Sequence, residues 1–410
     1  MPPKITIVGC GQAGSSIAYH CLQRGFPIRL LDARPEPQVK HNQQIPWGWY
    51  RKISLQSSLK RRVTTPAFPF PEFSDHIHLT KGPMLITTQH DHVVDQWTSW
   101  IDQCEGTDAR VVRPSDVEFT FELSSEYFKG NGGVFVCDTR DYLMDFNALN
   151  THLWAYFDAH PDCEWVKSCT VHRVCPERGT QDQNPVVLDT SHGPLSSTHT
   201  VFTVGNQSST LFPEQPIAQI RLPYASIHLP VHHKYISLWN KDSSVLFYQD
   251  GTTKVACGVQ SAFDGRASNW RTLHHFMAMG LRGWSNLNLW TDNATLMERA
   301  TKELKQIGAL EADHLPVNTP ADIEWCNVDV TPNLFPYIYC PFPAANVLSI
   351  SGLSGSGTMV LDSLLVNKLI DSVLDGRLDR ELEPFHPGLQ TLYSHWFPPE
   401  EKRTPLSSIV

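Results

Sequence analysis

Near the N-terminus, Gly9-Cys10-Gly11-Gln12-Ala13-Gly14 repeats glycine in the pattern G-x-G-x-x-G, directly after the apolar run KITIVG. That spacing suits one task, bringing backbone against a pyrophosphate. The first glycine allows a tight turn, the second lets the backbone approach the phosphates, and the third lets helix and strand pack closely. Gln12 and Ala13 sit in the turn, where the free N–H groups of a following helix and its partial positive charge meet the anion. Asp32 ends the next apolar stretch, 18 residues after Gly14. A carboxylate there accepts hydrogen bonds from both hydroxyls of an adenosine ribose. Ala33 and Arg34 continue that turn, and Arg34 keeps a 2′-phosphate open as well. The plainer reading is a glycine-rich turn packed for structure alone. The strand before the loop, the helix after it and the acidic residue beyond favour dinucleotide binding, without separating FAD from NAD.

A second glycine cluster lies far along the chain. Residues 346–364, NVLSISGLSGSGTMVLDSL, read as a strand, then a turn with Gly352, Gly355, Ser356, Gly357 and Thr358, then a long helix. Glycines at such a turn let backbone lie against a flat ring, and a helix N-terminus favours negative charge developing beside it. Here the chain resembles the D-amino-acid oxidase and sarcosine oxidase family of flavoenzymes. The resemblance implies that this turn passes along the isoalloxazine ring of FAD and that the helix points at the ring's pyrimidine end. Other stretches follow the family's order. GPMLITTQHDHVVDQWTSWI is similar to its strand-then-helix element in the substrate domain, and GGVFVCDTRDYLMDFNALNTHL to its passage back into the FAD domain. HTVFTVGNQSSTLF resembles a strand carrying a glycine near the flavin, here Gly205, and TPNLFPYI resembles a Thr-Pro-Asp-x-x-Pro-x-Ile passage. The likeness runs over nearly the whole chain, but only the two glycine motifs and Thr331-Pro332 are specific.

The same resemblance singles out Cys326. It stands 5 residues before Thr331, where sarcosine oxidases bind the flavin 8α-methyl covalently through cysteine. Such a bond needs a thiolate beside the electron-poor dimethylbenzene ring; the plainer reading is a small buried core cysteine. Three positions depart from the family. Met359 stands in place of the lysine that holds the substrate carboxylate in sarcosine oxidases, Ser356 in place of a histidine in the turn, and Val328 in place of the arginine that clamps the carboxylate in amino-acid oxidases. A carboxylate without a buried cation is expensive to desolvate. So either another cation serves, or the substrate is not a small free amino acid.

Arg51, Lys254 and Tyr248 are the catalytic candidates. Arg51 and Lys52 follow the aromatic run Trp47-Gly48-Trp49-Tyr50, about where the family carries a basic residue over the flavin. Lys254 lies in the β-rich middle, where some oxidases use a lysine to help reduce oxygen. Tyr248 and His228 are polar-tipped residues on predicted strands of the substrate sheet. For the cations the alternative is a solvated surface charge, and for Tyr248 and His228 a satisfied structural role. Trp47 and Trp49 either wall an aromatic substrate or simply pack.

These residues need elements to hold them. Residues 4–9 predict a buried strand, 15–24 a helix closed by Gly25, and 27–32 a second strand, which together start a βαβ unit. Residues 35–75 are rich in proline, glutamine and aromatics with weak periodicity, the sign of a long functional loop. Helices are predicted at 92–103, at 145–159 with Asp145 as N-cap, at 268–281, at 293–307, and at 358–375 with Gly376 closing it. Strands are predicted at 133–137, 164–175, 186–189, 199–205 and 346–350, and 214–262 alternates short β-runs with turns, as an antiparallel sheet does.

Composition sets the limits. A chain of 410 residues is long enough for about two or three domains. The net charge of −9 speaks against a nucleic-acid partner, which needs a basic field. No run of about 18 apolar residues predicts a membrane span. No charged and apolar leader precedes the first strand, and the 10 cysteines contain no C-x-x-C pair, so reduced thiols in a cytoplasmic protein are expected. Cys163, Cys169 and Cys175 fit no common zinc spacing, and His90/His92 and His232/His233 read as surface or core pairs, so no metal is expected.

The expected architecture is α/β. A glutathione-reductase-like, Rossmann-type FAD-binding domain from 1–75, 141–215 and 321–410 interleaves with an antiparallel β-sheet substrate domain from 76–140 and 216–320. The chemistry that the resemblance implies is oxidation of a C–N bond in an amine or amino-acid-like substrate. Hydride passes from the carbon beside nitrogen to flavin N5, the imine hydrolyses, and oxygen reoxidises the flavin to give hydrogen peroxide. That chemistry needs a dry pocket and orientation more than a catalytic triad. Two alternatives stay open. One is an FAD monooxygenase that hydroxylates an aromatic, tryptophan-like group of a larger or peptide-borne substrate; Ser351-Gly352-Leu353 argues against it, since such enzymes carry Gly-Asp there. The other is a flavin-binding maturation or assembly protein without turnover. The expected partners are the small-molecule or peptide-borne amine or aromatic substrate and oxygen, with the chain as monomer or homodimer.

Overall fold

The computed structural model describes residues 2–36, 48–49, 70–75, 77, 80–88, 98, 110–112, 122–123, 127, 134–144, 146–176, 185–212, 218–229, 234–235, 237–239, 244–248, 250–256, 292–311, 315–316, 318–330, 336–342, 345–352 and 363–386. Among these, three sheets form two layered units.

The first unit is built on a six-stranded sheet. At its centre Ile5–Val8 pairs in parallel with Ile28–Leu31 on one side and His199–Phe202 on the other. Asn346–Ser351 extends the sheet in parallel beyond His199–Phe202, Tyr337–Tyr339 closes that edge antiparallel, and Cys163–Val166 closes the other edge in parallel. Parallel strands covered on both faces are apolar along their length, and every residue of Ile5–Val8 and Asn346–Ser351 is buried. Alternation sorts their side chains. Ile5, Ile7, Ile28, Leu30, Val201, Leu348 and Ile350 face helices Gln12–Gln23, Phe146–Ala159 and Ser363–Asp375 through Ile17, Leu153, Phe157, Leu369 and Ile370. Val8, Leu31, Phe202 and Val347 face the opposite way, onto Leu188 and Phe212. Leu188 belongs to the three-stranded antiparallel sheet of Val171–Pro176, Val186–Thr190 and Gly193–Ser197. Helices thus cover one face of the parallel sheet and a small β-meander the other.

The second unit is a nine-stranded sheet. Its order runs Ala321–Val330, Ala218–His228, Thr252–Ala256, Ser244–Phe247, Ser237–Trp239, Thr80–Thr88, Val134–Met144, Gly48–Trp49, with Arg110–Val112 also pairing to Val134–Met144. The pairings are antiparallel except for Ser237–Trp239 against Thr80–Thr88, which is parallel. Helix Asn293–Gln306 covers one face, packing Leu296, Ala300 and Leu304 against Ala225, Ile227, Val255 and Ile323. Its start is set by Asp292, whose carboxylate accepts from the Thr295 N–H at 2.9 Å.

The elements depart from the sequence reading in instructive ways. The first helix begins at Gln12 rather than residue 15, because its opening turn is the glycine motif itself and carries no apolar periodicity. The single strand expected over 164–175 is two, Cys163–Val166 and Val171–Pro176, in different sheets; Ser168 at φ 55° turns the chain between them. The short strand expected at 133–137 runs on as Val134–Met144. Ala321–Val330 was not expected as a strand, yet it pairs with Ala218–Ile227 along all 10 of its residues. The large sheet therefore draws on residues on both sides of the expected boundaries at 141 and 321. The helix expected at 268–281 and the cap Asp145 lie outside the described residues, as does 92–103 apart from the helical Thr98.

Candidate functional site

The parallel sheet brings distant motifs to one edge. Val8, Phe202 and Ser349 stand in register on three neighbouring strands, and each chain turns within a few residues of that level. The turns carry left-handed glycines: Gly9 at φ 93°, Gly205 at φ 57° and Gly352 at φ 65°. Asp32 follows the fourth neighbouring strand, Ile28–Leu31. Glycine is the residue that adopts such a φ without steric cost, and the crevice outside the carboxyl ends of parallel strands is where open α/β sheets bind ligands. The N-terminal loop, Asp32 and the starts of both later glycine segments thus converge, although nearly the whole chain separates them.

Within the loop the three glycines have different reasons. A Cβ on Gly9 would stand 2.7 Å from the Thr203 carbonyl oxygen, and one on Gly14 would stand 1.8 Å from the Gly9 carbonyl oxygen and 2.6 Å from Thr203 Oγ1. Those two are demanded by packing. A Cβ on Gly11 would meet nothing within 4 Å among the described residues. Gly11 instead opens the helix Gln12–Gln23 with no side-chain cap of its own, so the loop has an open side at a helix N-terminus, the cradle a pyrophosphate needs. Gln12 and Ala13 form the first turn there.

Side chains that sequence reasoning did not single out hold this loop. Thr203 donates through Oγ1 to the Gly9 carbonyl at 2.7 Å, and its N–H donates to the Val8 carbonyl at 2.8 Å. Trp154 Nε1 donates to the Cys10 carbonyl at 3.1 Å, and Ser15 Oγ donates to Asn150 Oδ1 at 2.8 Å. The signal for Thr203 exists only once His199–Phe202 is known to lie beside Ile5–Val8. Cys10 is fully buried, and burial pushes its thiol far above the ordinary range, so it packs and does not react.

Asp32 is 5% exposed and heavily engaged. Its Oδ2 accepts from the Cys10 N–H at 2.6 Å and from Arg34 Nη2 at 2.9 Å; its Oδ1 accepts from the Arg34 N–H and from Arg34 Nε, both at 2.8 Å. The Arg34 guanidinium also lies 4.9 Å over the Trp154 ring. Burial alone would lower its pKa, but the bonds to Asp32 outweigh that and hold it raised. Ala33, between them, is exposed.

The family model for FAD-dependent oxidoreductases of the DAO type matches residues 4–361. The chain belongs to that family. Solved structures agree on the fold. L-proline dehydrogenase from P. horikoshii superposes with a TM-score of 0.66 at 13% identity, covering 96% of this chain and 99% of that one. L-amino acid deaminase from Proteus myxofaciens, solved with anthranilate, gives 0.70 at 12% identity over 94% of this chain and 93% of that one. Glycine oxidase from Geobacillus kaustophilus gives 0.63 at 13% identity over 94% and 98%. Among curated proteins none matches the sequence. The glycine-resemblance reading and the α/β architecture with a flavin-binding Rossmann unit therefore stand. FAD is the cofactor of the DAO family; the open side at Gly11 fits its pyrophosphate, and Asp32, with the Arg34 fork on its carboxylate, stands at the end of the second strand where its ribose would lie.

The remaining candidates divide. Lys254 is not a solvated surface charge: it is 3% exposed, and its Nζ donates to Glu324 Oε2 at 2.6 Å. Val255 and Ile323 belong to the core under helix Asn293–Gln306, so strand alternation puts Lys254 and Glu324 on the opposite face of the large sheet. Tyr248 is half-buried and opens the turn between Ser244–Phe247 and Thr252–Ala256, with its N–H donating to the Thr252 carbonyl at 2.8 Å. His228, exposed, lays its ring against Gly251 of the same turn. Cys326 lies in Ala321–Val330 with its backbone opposite Leu222. Arg51, Gly355, Ser356, Gly357 and Thr358 lie outside the described residues, as do Lys52, Trp47 and Met359. Among the described residues no group of three or more His, Cys, Asp or Glu is placed to hold a metal, and no helix is long and apolar enough to cross a membrane.

Proposed function

We propose that this FAD-dependent oxidoreductase oxidises the C–N bond of an amine or amino-acid-like substrate, with oxygen as the electron acceptor. The six-stranded unit holds the cofactor, and the nine-stranded sheet supplies the substrate side. When bound, FAD would supply a two-electron acceptor for hydride from the carbon beside nitrogen, with oxygen as the final acceptor and hydrogen peroxide as its product. The chain's part is to bind and orient. The Gly9–Gly14 loop and Asp32 fix the dinucleotide, and the turns at Gly205 and Gly352 bring backbone to the same edge.

The observation that carries the reading is Lys254. A buried ammonium on the sheet face away from the helix is the group that an anionic substrate carboxylate or a developing charge on oxygen requires. Glu324 keeps that charge compensated. In this reading Lys254 takes the place of the cations missing at Met359 and Val328, and a substrate carboxylate would share its ammonium with Glu324. The proteins of similar fold support the substrate class: their names specify proline, amino acids and glycine. Tyr248 and Arg51 remain part of this proposal as substrate-side residues. Cys326 is proposed as the covalent attachment point for the flavin.

The test is a visible spectrum of the purified protein, followed by anaerobic mixing with a panel of amines and amino acids. The expected result is a flavin spectrum that one class of amine bleaches and that air restores with one hydrogen peroxide per turnover. A flavin spectrum that no amine bleaches, but that a nicotinamide reductant does, would shift the assignment to the aromatic monooxygenase. A flavin that neither reaches would shift it to an assembly role.

A further inference from the structure

We propose that Arg34 is a displaceable occupant of the ribose position: its guanidinium holds the two sites on Asp32 that the adenosine diol takes, so cofactor uptake is an exchange and not a simple docking. The inference rests on reading the loop as an FAD site, and it assigns Arg34 a role there beyond lining the turn.

The argument is a count of donors. A carboxylate offers about four lone-pair positions. Among the described residues Asp32 has four donors on it: the N–H groups of Cys10 and Arg34, and Nε and Nη2 of Arg34. The two backbone donors are fixed by the fold, one by the glycine loop and one by the tight turn after Ile28–Leu31. The other two are neighbouring N–H groups of a single planar fork, the geometry in which guanidinium meets carboxylate most strongly. A ribose diol presents two neighbouring O–H donors. It replaces the fork donor for donor and leaves both backbone bonds in place.

The arrangement also has a place for the guanidinium. Its carbon lies 4.9 Å over the Trp154 ring, and Trp154 is itself pinned by Nε1 to the Cys10 carbonyl at 3.1 Å. A cation leaving Asp32 therefore keeps an aromatic face to rest on. The fork compensates a carboxylate that is 5% exposed and would be costly to leave unpaired. Arg34 thus stabilises the unloaded chain and opposes loading.

The test compares wild-type apoprotein with Arg34→Met, which keeps an unbranched stem and removes the charge. FAD binding is followed by quenching of flavin fluorescence at equilibrium and in stopped flow, and Tm is measured for both proteins with and without FAD. The expected result is a Kd for FAD lowered about tenfold in the variant, near the worth of one charge-assisted hydrogen bond. Association should be faster, and Tm should fall in the apoprotein but not in the loaded protein. A variant that binds FAD as tightly as wild type, or more weakly, would overturn the exchange. So would an apoprotein whose Tm does not change. If wild type takes up no FAD at all, the cofactor reading itself fails, an outcome distinct from tight wild-type binding that Arg34→Met does not improve.

Discussion

Lys254 Nζ lies 2.6 Å from Glu324 Oε2 across the strand that separates them, Lys254 opposite Ser226 and Glu324 opposite Tyr224. The pair is asymmetric: the lysine side chain is 4% exposed and the glutamate side chain 35%. Removing the glutamate takes a counter-charge from a buried ammonium, whereas removing the lysine leaves a carboxylate that water still reaches. Glu324→Ala is expected to cost about 3 kcal/mol in urea unfolding, and Lys254→Met well under that. The reverse order would show that the charge on Lys254 is compensated elsewhere.

The same lysine gives a kinetic prediction. With Lys254→Met, bleaching by the amine under anaerobic conditions should continue, while reoxidation by oxygen slows by about 10²-fold, the usual cost of losing one electrostatic contact to a developing charge. Stopped-flow absorbance separates the two half-reactions. Loss of the bleaching step alone would place Lys254 with the substrate and not with oxygen.

The glycine loop predicts two different failures. Gly14→Ala puts a methyl 1.8 Å from the Gly9 carbonyl oxygen, so the apoprotein itself should lose stability. Gly11→Ala has no described neighbour within 4 Å, so the apoprotein Tm should stay while FAD affinity falls. Calorimetry of the apoproteins beside FAD titration reads both. Equal loss of apo stability in the two variants would mean that Gly11 is also a packing glycine.

Covalent attachment through Cys326 has a direct check. Yellow colour should remain with the acid-precipitated wild-type protein and pass to the supernatant with Cys326→Ser. Colour in the supernatant for both would remove Cys326 from the site.

His20 predicts a pH dependence. It is buried in the first helix against Tyr19 and Phe70, and Nε2 has no partner among the described residues. Burial, then repulsion from Arg24, pushes it down from the ordinary 6.5 to about 4. Between those values the unfolded chain takes a proton that the folded chain refuses. Stability is therefore full above pH 6.5 and falls as the pH drops toward 4, by about 2–3 kcal/mol. In His20→Phe that part of the acid loss should disappear from urea midpoints measured across the window. An unchanged profile would assign the loss to other groups.

The sequence by itself determined the local chemistry. The G-x-G-x-x-G spacing with Asp32 beyond it identified the dinucleotide loop, and the glycine cluster after 346–350 supplied the likeness to the flavin family, because strand, turn and helix signals are carried by neighbouring residues. Only the tertiary structure decided what depends on residues far apart. It gave Gly9 and Gly14 their packing reason through Thr203, put Gly205 and Gly352 beside them, and showed Arg34 folded onto Asp32. For Lys254 the sequence left two readings open, a catalytic cation or a solvated surface charge, since neither its burial nor Glu324 beside it is visible locally. Its counter-charge comes from a strand 70 residues away, and strand pairing of that range is set by burial and register across the sheet, not by local propensity.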